Sequence, residues 1–159
     1  MNRSPRALLA VACRLLLAAL FLWAASLKIR DPAAFALAVS RYHILPGPLV
    51  NPVAILLPWV EILSALALLL PSRPFRAAGA ALIASMLAVF TLAIAWSLLH
   101  GTPPSCGCFS LRPDAAPSNA WNLLRNAALL LAAFLALDDA LSPVRPLSPL
   151  RTKFRIPLS

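Results

Sequence analysis

The sequence predicts an all-α integral membrane protein, a four-helix bundle with almost no soluble part. Of its 159 residues 61% are hydrophobic and only 12% charged, about half the charged fraction of a soluble domain, and the mean hydropathy is +0.84. Four stretches, residues 7–27, 49–70, 77–99 and 121–141, supply the roughly 20 apolar residues that a helix needs to cross a bilayer core about 30 Å thick. The alternation of polar and apolar residues that marks a membrane barrel is missing from all four.

Each element follows from local chemistry. The four runs are rich in Leu and Ala, and in lipid only a helix satisfies every backbone N–H and C=O within its own segment. Their alanines allow helices to approach closely where no hydrophobic effect drives association. Pro52 and Pro58 fall inside the second run and are expected to bend it without breaking it, because neighbouring helices and water can satisfy the carbonyls they free. Between the first two runs, Asp31-Pro32 reads as a helix start, so a short interfacial helix is expected through Phe35 and Tyr42. Pro71 to Arg76 is so short a link that the second and third runs must be antiparallel neighbours. The loop from His100 to Ala120 holds four prolines and the triplet Cys106-Gly107-Cys108. Residues 1–141 thus form the transmembrane domain, and 142–159 a basic, proline-rich tail at the membrane surface. There is no internal repeat.

Charge orients the bundle. Arg3, Arg6, Arg73, Arg76, Arg145, Arg151, Lys153 and Arg155 fall on the side of the termini, against Lys28, Arg30, Arg41 and Arg112 on the other. Positive residues are retained in the cytoplasm, so both termini are expected inside a bacterial inner membrane and the first and third loops in the periplasm. The net charge of +9 is answered by anionic lipid head groups and requires no nucleic acid. A rival reading of the first run is a cleaved signal peptide, since Arg3 and Arg6 precede an apolar stretch ending in Ala24-Ala25-Ser26.

Cys106 and Cys108 then lie on the outward loop, in a compartment where disulfides persist. A disulfide across one residue closes a tight ring of poor geometry, which makes it more reducible and hence more oxidising, and Gly107 supplies the backbone freedom such a ring requires. So short a loop removes little entropy from the unfolded chain, which favours thiol–disulfide exchange over stapling. A plain loop with two small residues or a static disulfide is the alternative. Zinc is a weaker rival: two cysteines with His100 make three local ligands, and the paired CxxC spacing is missing. Cys13, near the inner end of the first helix, reads as an inert packing residue. One outward pair leaves the circuit open, so either a bound acceptor such as a membrane quinone or a separate redox protein must close it.

Ionisable residues within spans cost a few kcal/mol unless paired or hydrated. Glu61 sits roughly 14 Å from the inner end of the second span and Arg14 roughly 10 Å into the first, so a Glu61–Arg14 pair is expected, with proton handling or head-group binding by Glu61 as the functional alternative. Arg125 lies about 6 Å inside the outer end of the fourth helix. There it is expected either to stabilise a cysteine thiolate or to snorkel to head groups.

Taken in order, Lys28 with Asp31-Pro32 and Phe35, Tyr42, Pro58 with Glu61, Cys106-Gly107-Cys108-Phe109 and Arg125-Asn126 resemble the methylamine utilization protein MauE family, within the wider group of MauE/DoxX-like redox-associated membrane proteins. The resemblance covers residues 15 to 135. Ser110 stands where the family usually has glycine after the phenylalanine, a departure in loop shape more than in thiol chemistry. The resemblance implies a role in maturing the disulfide-rich small subunit of methylamine dehydrogenase in the periplasm, alongside a thioredoxin-like partner.

Three functional classes follow: a membrane thiol–disulfide redox component, a non-catalytic membrane chaperone or docking subunit, and a small transporter or lipid-binding bundle centred on Glu61. The reactivity of Cys106 and Cys108 separates the first from the second. Dependence on Glu61 with the cysteines still exchanging would mark the third.

Overall fold

The computed structural model describes residues 5–100 and 120–142. Among these residues there are five helices and no strand: α1 (Pro5–Arg30), α2 (Pro32–Ser40), α3 (Gly47–Leu69), α4 (Arg73–Leu99) and α5 (Ala120–Leu141). The expected Cys106–Cys108 pair and the basic tail from 143 onward lie outside the described residues.

Proline sets the helix boundaries. Pro32 disfavours a helical conformation at the residue before it, and Asp31 takes φ −139° and ψ 77°, so α1 stops at Arg30. The Asp31 carboxylate then accepts a 2.9 Å hydrogen bond from the Ala34 N–H, capping α2 with Pro32 in its first turn. This is the short helix expected between the first two runs, with Phe35 buried on its inner face. His43, at φ 52°, occupies the left-handed region as the chain turns towards α3. That helix runs unbroken through Pro52 and Pro58. At its end Leu70 is extended (ψ 147°), and Pro71 and Ser72 lead straight into α4.

The four long helices form a ring. α1 packs on α3, α3 on α4, α4 on α5 and α5 on α1, while the backbones of the diagonal pairs make no close approach among the described residues. Two contacts fix the direction of α4 against its neighbours: Gly79 near the start of α4 lies against Ser64 and Leu68 near the end of α3, and Arg76 faces Asp139 near the end of α5. α2 lies outside this ring, against α3 and α1.

Burial recurs every three or four residues, the period of one helical face. The buried stripes are Leu17, Phe21, Ala24 and Lys28 on α1; Ala54, Pro58, Glu61, Ala65 and Leu68 on α3; and Asn126, Leu129, Ala133, Ala136 and Ala140 on α5. Alanine is the commonest residue on these faces, and Gly79 of α4 is the extreme of close approach: a Cβ there would stand 2.6 Å from the Ser64 carbonyl oxygen. The opposite faces are apolar too. Leu56, Leu63, Leu92 and Leu131 are more than 60% exposed, and in the most apolar stretches of α1, α3 and α4 no more than 33% of residues are buried within the protein. Surfaces of this kind require lipid, and these three helices are long and apolar enough to cross a membrane. The 22 residues of α5 extend roughly 33 Å and complete the bundle, carrying Arg125, Asn126, Asp138 and Asp139.

Candidate functional site

Lys28 is the last member of the α1 stripe, four residues after Ala24, so its Cβ faces the bundle axis. Helical side chains tilt towards the N-terminus, and the ammonium therefore reaches back into the bundle rather than out to solvent. Glu61 follows Pro58 by three residues on the α3 stripe, eight residues or about 12 Å from Leu69 and about 21 Å from Gly47 at 1.5 Å per residue. Lys28 Nζ donates to Glu61 Oε1, and both side chains are only 2% exposed.

Two rings seal the pair. Phe35 of α2 and Phe90 of α4 place their centroids 5.0 and 5.5 Å from the ammonium, within cation–π range, where a desolvated contact contributes about 2 kcal/mol. Asn126 of α5, 1% exposed, lines a small cavity with Lys28, Glu61, Phe21, Leu87 and Phe90. All four long helices thus contribute to one point on the axis. Glu61 Oε2 and Asn126 Nδ2 are buried without a protein hydrogen-bond partner, one an acceptor and the other a donor. The cavity holds about 20 Å³ of space for water, enough for one molecule by the usual requirement of about 10–15 Å³. Ser64, one turn further along α3, is satisfied within its own helix by a 2.7 Å bond to the Val60 carbonyl. Beyond the phenylalanines lies a larger cavity of about 400 Å³ between α2, α3 and α4, lined almost wholly by apolar groups such as Val39, Val53, Leu57 and Met86.

The partner of Glu61 corrects the reading from sequence. Depth along the spans matched it to Arg14; the structure gives it to Lys28. Counting residues from helix ends assumes that the ends are level and says nothing of which way a side chain faces. Arg14 instead belongs to a second cluster with Arg76 and Asp139, towards the opposite end of α1. Lys28, counted among the outward charges, is wholly inside. Arg125 is partly buried on α5 beside Asn126, and its relation to Cys106 and Cys108 lies outside the described residues. His100 stacks on Trp96 with ring centroids 4.2 Å apart, its Nδ1 2.9 Å from the Trp96 carbonyl. Cys13 is partly buried and packs against the apolar core, as a small packing residue should.

Phe90 and the inward role of Asn126 were missed from sequence. The signal for Asn126 was present: an amide three residues before Leu129, on the same face of an apolar helix. Phe90 offered none, being one of seven phenylalanines in a chain where most apolar residues face lipid.

A family model described as Methylamine utilisation protein MauE matches residues 6–138. The methylamine utilization protein MauE of Methylophilus methylotrophus is 39% identical over 116 residues, 72% of this chain and 60% of that protein. That of Paracoccus denitrificans is 35% identical over 138 residues, 86% of this chain and 72% of the relative. That of Methylorubrum extorquens is 34% identical over 109 residues, 67% and 56% respectively. The chain therefore matches between about half and three quarters of the length of these relatives. No solved structure matches.

Proposed function

The chain belongs to the MauE family of methylamine utilisation proteins, and from that premise we propose that it is a membrane thiol–disulfide redox component. In this reading Cys106 and Cys108 are the exchanging pair. They serve a periplasmic thioredoxin-like protein and, through it, a disulfide-containing secreted enzyme, the small subunit of methylamine dehydrogenase. The bundle sits in the bacterial inner membrane with α5 as its fourth span, both termini cytoplasmic and the loop between α4 and α5 periplasmic.

The observation that supports this reading best is how the ends of that loop are held. Residues 101–119 connect α4 and α5, which pack against each other, and both helices are pinned at the axis through Phe90 and Asn126 beside the sealed Lys28–Glu61 pair. A neutral, closed ion pair suits a rigid platform for chemistry carried out elsewhere. Glu61 and Lys28 are therefore assigned to holding the platform together, and Arg125, adjacent to Asn126, to favouring a thiolate in the loop.

The exchange step balances without further reagents. A thiolate of one partner attacks the disulfide of the other to form a mixed disulfide, a second thiolate displaces it, and two electrons and two protons have changed hands. A quinone or a second redox protein returns the pair to its starting state.

Replacement of Cys106 or Cys108 by serine is expected to abolish client maturation with the helices intact, and one single variant should trap a mixed disulfide with the partner. Full maturation in the double serine variant, at equal protein level in the membrane, would reject the redox reading in favour of a docking subunit.

A further inference from the structure

The second charged cluster has no place in the redox reading. Arg76 of α4 faces Asp139 of α5 where α4 begins and α5 ends, and Arg14 of α1 lies within electrostatic range of both, two cations against one carboxylate. Asp139 does little to balance them: its Oδ2 is 3.9 Å from Arg76 Nη1, and its side chain is 32% exposed. Three guanidinium nitrogens, Nε and Nη1 of Arg14 and Nε of Arg76, are buried without a hydrogen-bond partner. Charged donors removed from water are costly unless something accepts from them.

A second, independent feature lies at the same end. The first turn of α4 contains no acid, and its N-cap residue Ser72 makes no side-chain capping bond. Pro74 carries no N–H and the Arg76 N–H is bonded to the Ser72 carbonyl, which leaves the N–H groups of Arg73 and Phe75 to an external acceptor, and the helix dipole there favours an anion. Arg73 adds a further positive charge to the same turn.

We infer that the Arg14–Arg76 cluster is a binding site for a phosphate group, supplied by the head group of an anionic phospholipid in the leaflet that surrounds it. A phosphate diester offers several acceptor oxygens and a negative charge, and guanidinium groups present donors in the fork that such oxygens match. Basic pockets between membrane helices near the head-group region recognise lipids in this way. Asp139 competes with the lipid phosphate for the arginines and partly offsets their mutual repulsion when no lipid is bound.

The test uses the full chain in nanodiscs containing equal amounts of phosphatidylglycerol and phosphatidylcholine, with lipid retention read by native mass spectrometry after release. Phosphatidylglycerol should be retained in preference to phosphatidylcholine. Arg14→Gln and Arg76→Gln should each weaken retention about fivefold, while Arg30→Gln, on the exposed far end of α1, should leave it unchanged. Asp139→Asn should strengthen retention, a gain that a misfolded chain cannot produce. Equal retention of the two lipids, or indifference to Arg14→Gln and Arg76→Gln together, would overturn the site. Displacement of phosphatidylglycerol by millimolar inorganic phosphate would overturn the lipid as its source.

Discussion

The two charged clusters of the bundle are built from the same kinds of group and balanced in opposite ways. On the axis, one lysine meets one glutamate, two aromatic rings close over the ammonium, and both side chains are 2% exposed. Where α4 starts and α5 ends, Arg76 stands 3.9 Å from Asp139, with their side chains 17% and 32% exposed, and Arg14 lies within electrostatic range of both. The contrast follows from what each place can borrow. At the axis neither water in quantity nor a head group is within reach, so the charges must cancel inside the protein. Near the membrane surface an excess of positive charge can be met from outside.

The largest expected effect is at the axis. Lys28→Met or Glu61→Leu alone should lower the stability of the bundle by about 3–5 kcal/mol, because each leaves its partner charged and buried, as measured by reversible unfolding in detergent. The close approach between the clusters comes next. Gly79→Ala puts a Cβ 2.6 Å from the Ser64 carbonyl oxygen, and backbone on backbone cannot yield cheaply, so a loss of about 1–3 kcal/mol is expected. Phe35→Leu should cost about 2 kcal/mol, most of which should vanish in a Lys28→Met background if the ring acts on the ammonium. A loss of the same size in both backgrounds would reduce the role of Phe35 to packing. The smallest effect belongs to the second cluster: Asp139→Asn should change stability by no more than about 1 kcal/mol, the range of exposed ion pairs. A cost there equal to that of Glu61→Leu would erase the distinction between the clusters.

Most of the fold was legible because its causes are local. Runs of about 20 apolar residues specify α1, α3 and α4, and Asp31-Pro32 specifies where α2 begins, its cap and its first-turn proline both written in adjacent residues. The axis was only half legible. Glu61 stood out as an acid within a span, yet its partner was sought by depth alone. Lys28, two residues from the end of α1, reads as a surface charge unless it is noticed that Leu17, Phe21, Ala24 and Lys28 keep one face. The choice between Arg14 and Lys28 depends on how far α1 and α3 are offset along the bundle, and no local pattern encodes that offset. The stripe on α5 likewise places Asn126 inward, while the ring of α1, α3, α4 and α5, with α2 outside it, emerges only from packing.

The account rests on Lys28 and Glu61 being one neutral unit at the centre of a membrane bundle, and the double variant Lys28→Met/Glu61→Leu tests this most directly. Its unfolding free energy should exceed that of either single variant and recover much of the wild-type value, since two apolar side chains replace two cancelling charges in a dry site. A double variant less stable than both single ones, with the two losses simply adding, would show that the charges do not act as a pair.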